Sequence, residues 1–92
     1  MTKSFEEFQV YQLAMQLTKK VFDLLKDQTF DKEYEFKNQM KRAVLSISNN
    51  IAEGAEYNNN LQFIRFLKYA KGSCAEVRNM LHLAHYIFGI NT

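Results

Sequence analysis

The chain has 92 residues, of which 47% are hydrophobic and 24% charged, and its formal net charge is +2. A chain this short builds one hydrophobic core, which predicts a single domain over residues 1–92 and excludes a multidomain enzyme. Eight Phe and five Tyr residues with nearly balanced charge exclude a disordered chain. The sequence has neither a run of about 18 apolar residues nor a signal segment, and its single cysteine cannot form an internal disulfide. We therefore expect a cytoplasmic protein with no membrane partner.

The first predicted helix spans about residues 4–28. The absence of proline leaves few positions that stop a helix, and Ser4 with Glu7 forms a capping box at its start. Its apolar side chains fill an arc of roughly 220°, which is wider than one neighbouring helix covers. The excess predicts packing on two sides, within the bundle or between subunits.

A polar turn over residues 29–33 leads to the second predicted helix, about residues 34–53, which ends at Gly54 as a left-handed cap. A polar row runs beside its narrow apolar stripe, while Lys37, Lys41 and Ser48 are expected on the exposed side. The row consists of Gln39, Arg42, Ser46, Asn49, Asn50 and Glu53. We interpret the row as a partly buried hydrogen-bond network between helices or subunits. Contact with a ligand or nucleic acid, and catalysis, are the alternatives.

The third predicted helix, about residues 60–88, follows an asparagine-rich loop and ends at Gly89. It would be about 43 Å long. Its inner face is apolar, and consists of Phe63, Phe66, Leu67, Ala70, Cys74, Val77, Leu81, Ala84 and Phe88. Gly72 opens a run of small residues through Ala75, and because glycine costs about 1 kcal/mol inside a helix, we expect another helix to approach closely there. A ligand that contacts the backbone is the alternative. The three segments together predict an all-α, antiparallel up-and-down helical bundle.

The outer face of the third helix carries clustered positive charge. The cluster consists of Arg65, Lys68, Lys71, Arg78 and His82. Most of the acidic residues precede residue 36, and such charge asymmetry is what a phosphate-binding surface requires. The alternative interpretation is an ordinary solvated helix face.

Catalytic and metal-binding arrangements are poorly supported by the sequence. Cys74 and His82 lie about 12 Å apart along one helix, which is beyond the reach of a nucleophile and its base. His82 and His85 are half of a metal site without a Glu-x-x-His partner motif. We predict no catalytic residue, no metal and no cofactor.

Four segments resemble the bacterial four-helix bundle family, also called the 23S ribosomal RNA intervening-sequence proteins. They are residues 8–14 (FQVYQLA), 39–43 (QMKRA), 46–54 (SISNNIAEG) and 66–73 (FLKYAKGS), followed by Glu76. The resemblance covers nearly the whole chain. The positions that match the family motif are Gln39, Arg42, Ser46, Asn50, Glu53, Gly54, Gly72, Ser73 and Glu76.

The resemblance implies a helical bundle that assembles into a homopentamer, and a relationship to the basic accessory protein of diversity-generating retroelements, which works with nucleic acid. It implies no catalytic residue. Family members usually continue into a fourth helix, so we expect either a shortened product or a bundle that another chain completes. The leading hypothesis is a non-enzymatic, self-associating subunit that binds RNA or DNA. The alternative is a structural or adaptor subunit whose partner is a protein.

Overall fold

Three long helices make up most of the molecule. In the computed structural model, which describes residues 4–91, α1 is Gln9–Leu24, α2 is Tyr34–Glu56 and α3 is Asn60–Phe88. The ends of the predicted domain, residues 1–3 and 92, lie outside the described residues. The described part of the chain is helical without strands, which confirms the all-α prediction, and it measures 44 × 19 × 19 Å.

The first helix begins later than the sequence predicts. Residues Phe5–Glu7 form a 3₁₀ turn, and α1 begins at Gln9 after Phe8, whose backbone is extended. The predicted capping box is wrong, because the Ser4 side chain caps nothing and the Glu7 amide donates instead to the Ser4 carbonyl at 3.1 Å. Aromatic packing fixes this entry: the Phe5 ring meets the Tyr11 ring edge-on at 5.1 Å, and the Phe8 ring lies 5.5 Å from the Phe63 ring of α3.

The link between α1 and α2 is less polar than predicted. The Asp27 carboxylate accepts a hydrogen bond from the Thr29 amide at 2.9 Å and starts a second 3₁₀ turn, Gln28–Phe30, so the helix ends before residue 28. Phe30 is completely buried. Its ring stacks on Phe36 at 5.6 Å and meets Phe88 edge-on at 5.3 Å. The predicted polar turn therefore carries an anchor of the core.

Gly54 lies inside α2 and does not end it, so its prediction as a left-handed cap is wrong. The helix continues to Glu56, and Gly54 is buried against α3. A Cβ atom at this position would lie 2.7 Å from the Cβ of Phe66 and 3.1 Å from the Cδ1 of Phe63. Glycine is needed here because a side chain would push the two helices apart.

Both ends of α3 match the signals in the sequence. The Asn59 side chain accepts a hydrogen bond from the Gln62 amide at 3.1 Å and caps the first turn. Gly89 takes the left-handed conformation (φ 71°) that a C-terminal cap favours. The three-residue link before Asn60 includes Asn58, whose φ of 48° is also left-handed.

The middle helix of the molecule is α2, and α1 and α3 pack on different sides of it. Ser48 is buried and Lys37 and Lys41 are half-buried, so the expectation that they form the exposed side is wrong. The α1 helix covers that side, and the Lys41 ammonium lies 5.4 Å from the centre of the Phe22 ring. The predicted inner face of α3 is buried or half-buried throughout.

Candidate nucleic-acid interface

The five residues of the predicted basic face all lie at the surface of α3. Arg65, Lys68, Lys71, Arg78 and His82 are each exposed, and they extend along about 25 Å of the helix. This basic face is built on a helix that its caps and its packing on α2 hold in place. A straight helix therefore holds the five side chains at fixed spacing.

The cations of the basic face are not neutralised by carboxylates. Within residues 4–91 the ion pairs join Asp23 of α1 to Lys19 and Lys26, each at 3.4 Å, and none involves an α3 cation. The hydrogen bonds from these lysines hold the pKa of Asp23 below its ordinary value. Glu76, the acid on α3, is exposed. The charge of the basic face is thus available to an external anion.

Arg65 differs from the other cations because it has neutral partners. Its Nε donates to the Tyr69 hydroxyl at 2.8 Å, and one terminal nitrogen donates to the side-chain Oε1 of Gln62 at 3.3 Å. The hydrogen bond to Tyr69 raises the pKa of the Arg65 guanidinium above its ordinary value. These hydrogen bonds therefore orient the Arg65 side chain without neutralising its positive charge.

Part of the predicted polar row forms a contact between α2 and α3. The Ser73 hydroxyl donates to the Ser46 hydroxyl at 2.9 Å, and the Asn50 side-chain nitrogen donates to the Ser46 carbonyl at 2.8 Å and hydroxyl at 3.0 Å. Ser46, Asn50 and Ser73 are half-buried. The structure thus brings together these three members of the predicted site.

The other members of the row lie apart from this contact and are exposed. Gln39 and Arg42 border a polar crevice near the start of α2, and Asn49 and Glu53 border a second crevice beside Phe5. The expectation of partial burial is therefore wrong for these four residues.

Gly72 does not mark a close approach of helices within this chain. It is exposed, and nothing lies within 4 Å of the position that its Cβ would occupy. The helix contact that the sequence assigns to Gly72 is made by Gly54 instead. The sequence does not show which of the two glycines lies at a helix contact, because that depends on which sides of α2 and α3 face each other.

An aromatic group beside Arg65 was missed by sequence reasoning. The rings of Tyr57, Phe66 and Tyr69 pack in a row at the end where α2 meets α3. The spacing of Arg65 and Tyr69, four residues apart on a helix, was a usable signal. The sequence offers no such signal for Tyr57, because it predicts that α2 ends before this residue.

An apolar groove lies between α1 and α3. It has a volume of about 270 Å³ and is lined by Leu17, Val21 and Leu24 of α1 and by Leu81 of α3, with Lys20 at its border. The groove exists because α1 and α3 pack mainly on α2 and contact each other sparsely. Elsewhere on α1, Val10, Leu13 and Met15 are exposed as well. The wide apolar arc of α1 is thus partly uncovered.

Among residues 4–91, His, Cys, Asp and Glu side chains do not gather in groups of three that could hold a metal ion. Within the same residues, each helix is too short or too polar to cross a membrane.

The fold and the site together define a small, all-helical protein with an inter-helix hydroxyl contact and a cationic helix face. The family model for the 23S rRNA-intervening sequence protein matches residues 6–92, and the chain belongs to this family. No curated protein and no solved structure matches the chain. The family resemblance seen in the sequence is confirmed.

Proposed function

We propose that this chain is a non-enzymatic, cytoplasmic subunit that self-associates and binds RNA or DNA through the basic face of α3. The observation that carries the proposal is that four exposed Lys and Arg residues, with His82 beside them, lie on one helix without a carboxylate partner among the described residues. Clustered cations bind the phosphate backbone by releasing its counterions, a term that does not depend on base sequence. The family name, which refers to a ribosomal RNA, agrees with a nucleic-acid partner.

The salt dependence of binding tests this proposal. Four Lys and Arg side chains that each neutralise a phosphate give a slope of log K against log salt of about −3.6 on a duplex. Affinity for fluorescent structured RNA or duplex DNA should therefore fall on the order of 100-fold between about 50 and 200 mM salt. The triple variant Lys68→Glu, Lys71→Glu, Arg78→Glu should lose this binding.

A charge-matched control separates the basic face from overall charge. The variant Lys20→Glu, Lys26→Glu, Lys32→Glu changes the net charge equally at exposed positions outside α3. It should retain most of the affinity, provided that both variants keep the helix content and assembly of the parent. Equal losses in the two variants, or no binding by the parent at low salt, would contradict the proposal.

Self-association is supported by the apolar surface that α1 leaves uncovered. An exposed apolar area of this kind is typical of an interface between subunits. We propose the homopentamer that the family resemblance implies, which has a mass of about 55 kDa for a chain of 10.9 kDa. Light scattering at micromolar concentration measures it directly, and a well-folded monomer would contradict the proposal.

A protein-binding adaptor is the second candidate, and the groove between α1 and α3 favours it. An apolar helix bound in that groove would be nearly insensitive to salt, unlike a phosphate contact. If Leu81→Lys abolishes binding of a protein partner while the charge variants of α3 do not, the result favours the adaptor over the nucleic-acid-binding function.

A further inference from the structure

An exposed aromatic group lies at the end of the α2–α3 hairpin, and we call it the aromatic platform. It consists of Tyr57, Phe66 and Tyr69. The Tyr57 ring stacks on Phe66 at 5.4 Å with 20° between the planes, and the Tyr69 ring meets Phe66 edge-on at 5.5 Å. Tyr57 is 54% exposed and Tyr69 is 46% exposed. Two large rings are thus held in fixed positions while much of their area stays in water.

The platform is held by the backbone beneath it. Gly54 lets the backbone of α2 approach Phe66 closely, and the continuation of α2 to Glu56 places Tyr57 against the Phe66 ring. Rings fixed in this way lose little conformational freedom when a ligand binds them. The platform is therefore preorganised for a flat ligand.

Arg65 joins the aromatic platform to the basic face. Its guanidinium carbon lies 5.6 Å from the centre of the Tyr69 ring, and its Nε donates to the hydroxyl of the same tyrosine. Lys68 lies one helical turn further along, so cations begin directly at the edge of the aromatic surface. Glu56 precedes Tyr57, but it lines the crevice beside Phe5.

We propose that the aromatic platform binds an unpaired nucleobase of a single-stranded or looped nucleic acid, with the base stacked on Tyr57 and the adjoining phosphate on Arg65 and Lys68. Aromatic rings beside a positively charged track are how proteins hold single strands, because each base offers a flat face and each nucleotide a phosphate. A duplex keeps its bases stacked internally and cannot use the platform. The inference rests on the proposed nucleic-acid function and adds a preference for unpaired nucleotides.

The test compares a labelled 12-nucleotide single-stranded RNA with a duplex of the same length. Loss of one stacking residue costs about 1–3 kcal/mol per base, so Tyr57→Ala should weaken single-strand binding about 5- to 150-fold. Duplex affinity and the salt slope should not change, because no phosphate contact is removed. Tyr57→Phe keeps the ring and should bind like the parent.

Tyr34→Ala is the matched control. Tyr34 is also an exposed tyrosine with a cation beside it, since the Lys37 ammonium lies 5.4 Å from its ring centre. It stands near the other end of α2, about 34 Å along the helix from Tyr57. Its replacement should leave the binding of both RNA forms unchanged.

The possible outcomes separate this inference from the proposed function. Single-strand binding that survives Tyr57→Ala, or falls no more than duplex binding, overturns the platform and leaves the basic face intact if the α3 charge variant still loses affinity. Absence of binding by the parent overturns both. A base analogue such as 2-aminopurine, placed in the single strand, should be quenched by the parent and by Tyr57→Phe but not by Tyr57→Ala.

Discussion

The contact between α2 and α3 is closed, whereas the apolar arc of α1 is partly open. Between α2 and α3, Gly54 removes a side chain and the hydroxyls of Ser46 and Ser73 hydrogen-bond directly across the interface. In the apolar arc of α1, by contrast, Leu13 is 55% exposed. One contact is complete within the chain, whereas the other surface leaves apolar side chains partly in water.

The difference follows from what each helix offers to its neighbours. The α2 helix has a narrow apolar stripe flanked by small and hydroxyl residues, which suits one close neighbour on each side. The α1 helix has a much wider apolar arc, and a single neighbour, α2, cannot cover it. The closed contact therefore contributes to the stability of the chain, and the open surface is available for association.

The largest expected effect is at Phe30, where the start of α2 meets the end of α3. Phe30→Ala removes a completely buried ring that packs on Phe36 and Phe88. The free energy of unfolding should fall by about 3–5 kcal/mol, which denaturant titration measures. Tyr34→Ala, an exposed aromatic control, should change it by less than about 0.5 kcal/mol. Similar losses in both would mean that Phe30 is not a core anchor.

An intermediate effect is expected where the helices approach most closely. Gly54→Ala places a Cβ atom 2.7 Å from the Cβ of Phe66, a contact that cannot form without a shift of the helices. Overpacking of this kind should destabilise the chain by about 1–3 kcal/mol, even though alanine favours helix more than glycine does. An unchanged or higher stability would show that α2 and α3 separate easily.

The smallest expected effect has the opposite sign and concerns an exposed position of α3. Gly72 is exposed inside α3, with nothing within 4 Å of its Cβ position. Gly72→Ala should therefore raise the free energy of unfolding by about 1 kcal/mol, through helix propensity and the loss of freedom in the unfolded chain. A decrease, accompanied by weaker association, would show that a second copy contacts Gly72.

Signals within a few residues of one another predicted much of the fold. Asn59 and Gly89 bound α3 where the sequence places its ends, because a cap depends on local backbone geometry. The first capping box was misread, since the packing of Phe5 on Tyr11 and of Phe8 on Phe63 outweighed one side-chain hydrogen bond. Local signals hold unless tertiary packing competes with them.

The candidate site was predicted in part. Exposure of the basic face follows from the helical period, and all five of its residues are exposed. The aromatic platform could not be foreseen in full, because Tyr57 joins it only through the continuation of α2 past Gly54. The rings of the platform come from the end of α2 and from α3, and the pattern of neither helix alone predicts that they meet.

The sequence by itself determined the helical class, the ends of α3, its inner face and the family. These depend on periodicity, capping and motif order, which are properties of contiguous residues. The tertiary structure alone decided which glycine lies at a helix contact, which side of α2 is covered and which apolar side chains of α1 stay exposed. Those features depend on where three helices lie relative to one another, and only their packing fixes that arrangement.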